Sequence, residues 1–320
     1  MPVGPRISAV VVTHAGGRLL DECLASLSRQ SRKADETLVV VSNHRLPVTG
    51  APALQLHTNV GYARAANAGA RETTGEILLL NDDTRLDPGC IAALAGAWQG
   101  PGVYQPRIRL ADGSGRLDNI GHGFFPDGAV WARGRNGPDA TSLPGAPGGF
   151  SGAAVLIARS TWNALGGFDE RYGSFGEDVD LSLRLLRRGV DVRPVPEALV
   201  EHHLGATWGR VSPEKLRLIE RNRVRAAVRS LPLSALAAMP VATAARYAAF
   251  AGLAAVGRGP GEKVSLVAQL SALRGMVEGA LDAPTYWRER RADASDWSLG
   301  EWAMLGRLWT ARARWRDVSR

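Results

Sequence analysis

The chain of 320 residues holds only two cysteines, Cys23 and Cys90. Their spacing fits neither a disulfide framework nor a metal motif, so nothing in the sequence calls for an oxidising compartment. No run of 18 apolar residues is free of charge. The nearest, from Leu231 to Val256, is Ala-rich and broken by Arg246, which argues against a membrane span. Residues 1–6 lead straight into an apolar strand with no basic n-region and no cleavage site, so no signal peptide is expected and the sequence reads as cytosolic. Three nucleotide and acyl-transfer signatures are also missing. No Gly-x-Gly-x-x-Gly follows the first strand, and no Gly-x-x-x-x-Gly-Lys-Ser occurs. Ser151 sits in Gly149-Phe150-Ser151-Gly152, not in Gly-x-Ser-x-Gly. A dinucleotide fold, a P-loop enzyme and a serine hydrolase are thereby excluded. There are no internal repeats.

What is present is an uneven charge. The net charge is +8, yet residues 209–320 carry 19 basic and 10 acidic side chains, against 20 and 21 in the first 208. The front of the chain is neutral and the tail carries the excess. That asymmetry favours an anionic surface as partner for the tail, lipid headgroups or nucleic acid.

The apolar pattern predicts an α/β protein. Ile7 to Val12 and Thr37 to Val41 read as buried strands, with Leu20, Cys23, Leu24 and Leu27 at helical spacing between them. A helix over 62–73 and a strand over 76–80 follow, and strand–helix–strand–helix–strand points to a parallel sheet whose ligands gather at the carboxyl ends of its strands. Residues 100–148, rich in Gly, Pro and Asp, read as hairpins and loops over that sheet. A strand at 153–157, a short helix at 161–165, a helix at 178–188 and a strand at 198–200 complete this part. From Pro213 onward the pattern is helical and basic. The expected organisation is a catalytic domain over 1–210 and a helical, basic region over 211–320.

Four constellations carry chemistry. Asn81-Asp82-Asp83 ends an apolar strand, where hard oxygen ligands suit Mg²⁺ or Mn²⁺ bridging a diphosphate; an ordinary Asn/Asp turn would read the same. Asn59-Val60-Gly61 before the 62–73 helix suits either close approach to a nucleotide or a plain helix cap. Gly166-Gly167-Phe168-Asp169-Glu170 followed by Glu177-Asp178-Val179-Asp180 sets a carboxylate in a loop-built pocket, where it could take a proton, or else satisfies a helix macrodipole. Glu201-His202-His203 follows a strand. Adjacent residues there point to opposite sides, so at most one imidazole serves a site.

In this order and spacing, the segments resemble the family 2 glycosyltransferases of GT-A fold, and most of all the bacterial rhamnosyltransferase branch. The match runs from Val12-Thr13-His14 through Asn59-x-Gly61, Asn67, Asn81-Asp82-Asp83-Thr84, Gly152-Ala153 and Glu177-Asp178 to His202, about residues 6–225. It implies a Rossmann-like mixed sheet flanked by helices. It also implies an inverting transfer from a nucleotide-sugar donor to a hydroxyl of a glycan or lipid-linked acceptor, in cell-wall or surface polysaccharide synthesis. By the resemblance Asp83 would hold the Mn²⁺ or Mg²⁺ and His202 would assist it, with His203 the fallback. Asp82 would lie beside the sugar or ribose, Thr13 and Asn43 would border the base, and Asp178 would be the general base. Glu177 beside Asp178 would raise the pKa of the pair; Asp180 would face away and Asp169 would brace the loop. One departure touches the nucleotide. The family usually carries Asp-Asn after the second strand, and here Ser42-Asn43 stand instead.

The sugar implied is L-rhamnose from dTDP-L-rhamnose. Other UDP- or GDP-linked donors, galactofuranose among them, remain open, as do a nucleotidyltransferase and a non-catalytic assembly partner of the same fold. For the tail, ordinary helices on the catalytic domain compete with peripheral attachment to the inner membrane face through Trp287, Trp297, Trp302, Trp309, Trp315 and the arginines. Attachment is favoured, with a homo-oligomeric surface as a further reading. No nucleic-acid motif accompanies the charge.

Overall fold

A strand that is apolar at every position, rather than at every second one, belongs at the middle of a sheet covered on both faces. The computed structural model, which describes residues 4–43, 46–139, 145–205, 212–258 and 265–318, places Ile7–Thr13 there with every residue buried. In chain order the elements are β1 (Ile7–Thr13), α1 (Arg18–Ser28), β2 (Glu36–Val41), β3 (Ala53–Gln55), α2 (Tyr62–Arg71), β4 (Glu76–Asn81), β5 (Thr84–Leu86) and α3 (Cys90–Gly96). Then come β6 (Val103–Leu110), β7 (Leu117–Asn119), β8 (His122–Phe124), β9 (Val130–Ala132), β10 (Ala154–Ile157), α4 (Arg159–Leu165), α5 (Glu177–Arg187) and β11 (Val192–His202). The tail is α6 (Pro213–Ser230), α7 (Leu233–Ala255), α8 (Leu266–Leu281), α9 (Ala283–Asp293) and α10 (Glu301–Thr310).

The main sheet runs β3-β2-β1-β4-β10-β6-β11-β5, with β7 on β6, and β8 and β9 form a separate hairpin. β3, β2, β1 and β4 are parallel, as the alternation predicts. β10 then enters antiparallel, with Ala154 opposite Leu80, which makes the sheet mixed. One face packs Val11, Leu80 and Ile108 on α1 and α3; the other packs Val10, Val12 and Leu79 against α2, Trp162, Phe168 and Leu181.

The β10–β4 pairing builds the site. It sets Ala153 and Gly152, just before β10, beside Asn81, just at the end of β4. The Asn81 amide donates to Ala153 O at 2.9 Å.

Most of the tail is tied to this body. Ser212 caps α6 by accepting from Lys215 N, and Pro213 occupies the first turn. Val224, Ala227 and Val228 pack on Tyr172, Leu183 and Leu186, and Tyr286 and Met304 join the same cluster. The guanidinium of Arg187 is buried, donates to Ser230 O at 2.7 Å and Glu301 Oε1 at 3.0 Å, and stacks on Trp297. The expected boundary at 210/211 lies outside the described residues.

α8 meets α6 through its small residues. A Cβ at Gly275 would fall 2.1 Å from Arg217 O, and one at Gly279 2.6 Å from Arg221 O. Overpacking of this kind costs about 1–3 kcal/mol. Gly275→Ala is therefore expected to lower the melting temperature by several degrees, which differential scanning calorimetry reads directly; an unchanged melting temperature would contradict the close α6–α8 contact.

Candidate active site

The carboxyl ends of β1 and β4, the start of α2, the 172–178 segment and the N-terminal half of α6 enclose a cleft of about 470 Å³. Asn59, Gly61, Asp82, Asp83 and Asp178 line it together. Residues some 120 positions apart in sequence thus meet at the end of the sheet where the topology predicts ligands.

Asp178 opens α5, the second residue of a helix whose preceding Gly176 has φ +87°. Its Oδ2 accepts from Gly152 N at 3.0 Å and its Oδ1 from Val179 N at 2.8 Å. The bond to Gly152 brings it to the Asn81-Asp82-Asp83 turn, because Ala153 is the partner of Asn81. Glu177 is buried, and its Oε2 has no hydrogen-bond partner. Burial, and then the Asp178 charge, push the Glu177 carboxyl well above its ordinary range, so it is neutral beside Asp178. The expected rise falls on Glu177.

The loop leading to α5 is held from the tail. Asn222 of α6 donates to Tyr172 O, Ser174 O and Phe175 O, and Phe175 sits at φ +67°. Gly61 must be glycine: it has φ +81°, and a Cβ there would lie 2.8 Å from the Gly173 backbone. Asn59 Oδ1 accepts from Gly61 N at 3.0 Å, and Tyr62 OH donates to Gly152 O at 2.7 Å.

Asp82 Oδ2 receives the Thr13 hydroxyl at 2.5 Å. Burial raises the Asp82 pKa to about 6 against the lowering by Thr13, with Asp83 adding to the rise. Thr13 and Asn43, expected to border a base, do not line the cleft. Thr13 braces Asp82, and Asn43 donates to His14 O at 2.8 Å; His14 and Ser42 are the residues at the wall. Ser42 Oγ accepts from Val60 N at 3.1 Å, which leaves its proton to donate.

Asp83 and His202 come together across the β5–β11 pairing, where His202 is opposite Thr84. His202 Nε2 lies 3.3 Å from Asp83 Oδ1 without hydrogen-bond alignment, and Nδ1 is 2.8 Å from Asp118 Oδ2. Burial disfavours the charged imidazole, but Asp118 and Asp83 outweigh it and raise the His202 pKa to about 10. Asp118 Oδ1 lies 2.8 Å from Arg135. Burial works to raise the Asp118 carboxyl, but Arg135 and His202 bring it down to about 2. His203 points elsewhere, 3.9 Å from Glu22.

Asn81 Oδ1 and Asp83 Oδ1 are buried and lack hydrogen-bond partners. Asn81 Oδ1 is a desolvated oxygen with no partner, and Asp83 Oδ1 meets only the His202 imidazole; a cation would complete both, so the turn fits a divalent metal. No three His, Cys, Asp or Glu converge in ligating geometry among the described residues.

Some of these residues carried no signal in the sequence. His122 lines the cleft, and its Nδ1 is buried without a partner. Burial lowers its pKa, against the pull of Asp178, and keeps the ring neutral. Asp118, Arg135 and Asn222 were equally silent, because none sits in a local motif. Asp180 is buried away from the cleft against Arg184 Nε at 2.8 Å, and Asp169 caps the turn at 170–172 and pairs with Arg171 and Arg229.

A family model described as glycosyl transferase family group 2 matches residues 76–217. The chain is similar to the N-acetylglucosaminyl-diphospho-decaprenol L-rhamnosyltransferase of Mycobacterium tuberculosis, 30% identical over 244 residues, which are 64% of this chain and 78% of that protein. It is 29% identical over 236 residues to the O-antigen biosynthesis protein RfbC of Myxococcus xanthus, 63% of this chain and 18% of that one. Among solved structures it resembles GalNAc-T7 with UDP, GalNAc and Mn²⁺ at TM-score 0.59 and 15% identity, covering 90% of this chain and 59% of that one. It also resembles the mannosyltransferase PcManGT of Pyrobaculum calidifontis, in complex with GDP-Man and Mn²⁺, at TM-score 0.50 and 19% identity, covering 96% and 88%.

Proposed function

The chain belongs to glycosyl transferase family group 2, a glycosyltransferase of GT-A fold, and from that premise we propose that it is an inverting, divalent-metal-dependent enzyme that moves L-rhamnose from dTDP-L-rhamnose to a hydroxyl of a lipid-linked glycan. The observation that carries the reading is the meeting in one cleft of Asp178, held on Gly152, with the Asn81-Asp82-Asp83 turn held on Ala153. The mycobacterial relative, named for transfer of L-rhamnose to a diphospho-decaprenol acceptor, supports the choice of sugar and acceptor. The protein would work at the inner face of the cell membrane, in cell-wall or surface polysaccharide synthesis.

In this reading Asp178 accepts the proton of the acceptor hydroxyl as that oxygen attacks the anomeric carbon. The bond from that carbon to the donor diphosphate breaks on the opposite side, so the configuration inverts and no enzymic nucleophile is needed. Glu177, its carboxyl pushed well above the ordinary range by burial, holds its proton, so the base role goes to Asp178. Asp83 and His202, the latter oriented by Asp118, would hold Mn²⁺ or Mg²⁺, which when bound neutralises charge developing on the leaving diphosphate. Thr13 fixes Asp82 toward the sugar or ribose, and Asn59 and Gly61 let the α2 end approach the nucleotide.

The test is a thermal-shift panel of dTDP, UDP and GDP and their sugars, each with and without Mn²⁺, followed by transfer to a lipid diphosphate acceptor and NMR of the new anomeric centre. A metal-dependent shift with dTDP and an inverted product are expected. A retained anomeric configuration, or pyrophosphate released from a nucleoside triphosphate and sugar phosphate, would overturn the reading.

A further inference from the structure

Among the described residues, large exposed hydrophobic side chains gather in one part of the protein. Every large hydrophobic side chain exposed among the described residues lies between Leu233 and Trp315. Two helices carry most of it, and both present it in a way that a helix serving only a soluble core does not.

α7 runs for 23 residues and has one buried residue, Arg246, which is also its only charge. Arg246 turns inward: Nε donates to Asp127 Oδ2 at 2.8 Å and Nη2 to Glu220 Oε1 at 2.9 Å. Thr243, one turn before it, donates from Oγ1 to Asp127 at 3.0 Å, and the adjacent Tyr247 donates its OH to Glu220 at 2.9 Å. The helix is pinned along its middle to the body of the protein. A helix held this way cannot cross a bilayer, because crossing would strip a buried guanidinium from two carboxylates. It offers instead a long outer side with no charge on it.

α8 is inverted relative to an ordinary amphipathic helix. Ala268, Ala272, Gly275 and Gly279 face α6, while Leu266, Leu270, Leu273, Val277 and Leu281, spaced four, three, four and four apart, form one stripe in which each side chain is more than half exposed. Trp302 and Trp309, seven apart on α10, are also exposed.

Charge decides what covers this surface. Several basic residues of 209–320 are buried in ion pairs (Arg223, Arg229, Arg246, Arg290), yet the tail keeps an excess of nine positive charges, 19 basic less 10 acidic, which two copies placed face to face would set against each other. An anionic lipid surface neutralises that excess. Exposed arginines (Arg258, Arg288, Arg291) and tryptophans are the side chains that settle among headgroups while leucine and valine enter the acyl boundary. The inner side of α7 reaches the catalytic cleft, since Arg246 lines the same cavity as Asp178.

We propose that the outer sides of α7 and α8 dock the protein on an anionic bilayer and hold the mouth of the cleft at the headgroup layer, where the diphosphate and sugars of a lipid-linked acceptor are presented. The binding stands on the surface alone; its purpose rests on the lipid-linked acceptor proposed above. The full chain is floated with phosphatidylcholine vesicles with and without phosphatidylglycerol, at low and high salt, alongside Leu270→Glu/Leu273→Glu and Ala244→Glu. All three positions are exposed, and a melting temperature like that of wild type verifies the fold. Salt-sensitive binding to the anionic vesicles is expected, falling by about tenfold or more in each variant. Equal flotation of wild type and variants would overturn the proposal. So would a dimer in sedimentation that Leu270→Glu/Leu273→Glu dissociates, with no vesicle binding. Transfer to a water-soluble, short-chain acceptor separates the two claims. Variants that keep this activity while losing the vesicles support the docking surface, and docking by a wild type that transfers to no acceptor sinks the catalytic reading alone.

Discussion

Asp178→Asn is expected to slow transfer by about 10²–10⁴-fold while leaving donor affinity unchanged, which is the range a positioned general base supplies. Asparagine has the shape of aspartate and keeps an oxygen for Gly152 N or Val179 N, the two amides that fix the side chain. It cannot take a proton. Single-turnover rates and the affinity for the nucleotide sugar, measured on the same preparation, separate the chemical step from binding. Glu177→Gln is the matched control. Glu177 is buried, its carboxyl is already held neutral, and its Oε2 has no hydrogen-bond partner, so an amide replaces a neutral acid. Its transfer rate should stay within about tenfold of wild type. If the two variants behave the other way round, Glu177 is the base. If neither loses rate, the proton leaves by another route and the proposed chemistry fails.

The parts of this fold that were legible in the sequence share one property, burial on both faces. β1, β2, β4 and β10 read as continuous apolar runs because helices cover the sheet on each side. β3 and β5 have three residues each, too few for any period to register, and Ala53 of the edge strand β3 is exposed. β11 was legible only at 198–200. Pro194 and Pro196 interrupt its first half, where the ladder with β6 slips between Val195 and Leu199. The site divides in the same way. Asp82, Asp83, Asn59, Gly61 and Asp178 belong to local motifs, and all line the cleft. Thr13 and Asn43 also belong to motifs but stand one layer back, a distinction of side-chain direction that spacing does not carry. Asp118 and Asn222 acquire their positions through long-range pairings, Asp118 with His202 84 residues on and Asn222 with Ser174 48 residues back, while Arg135 and His122 take theirs from contacts that no local motif marks, Arg135 on Asp118 and His122 opposite Ala132. For the tail, the sequence leaves packing and membrane attachment in competition. In the structure α6 and the small-residue face of α8 do the first, while the outer sides of α7 and α8 stay uncovered.

Asp83→Ala is expected to abolish the metal-dependent part of nucleotide binding, and turnover with it. Asp83 Oδ1 is buried, makes no hydrogen bond and lies 3.3 Å from His202 Nε2, and no other carboxylate among the described residues stands beside that imidazole except Asp118, on its far nitrogen. Removing Asp83 leaves one imidazole and the Asn81 amide, too weak a set to gather a hard cation at micromolar concentration. Asp118→Asn acts one bond further out. The ring of His202 would keep a hydrogen-bond partner but lose the charge that fixes its orientation and basicity, and loss of such a support costs about 10–100-fold in metal affinity. The two variants therefore part on a metal titration followed by calorimetry with nucleoside diphosphate. Raising Mn²⁺ about 100-fold should restore binding to Asp118→Asn and should not restore it to Asp83→Ala. Because His202 is held protonated by the same two carboxylates, metal binding should also release a proton, and calorimetry in buffers of different ionisation enthalpy reads that release. A wild-type protein that binds nucleotide equally well with and without Mn²⁺, and releases no proton, would place the diphosphate away from Asp83 altogether.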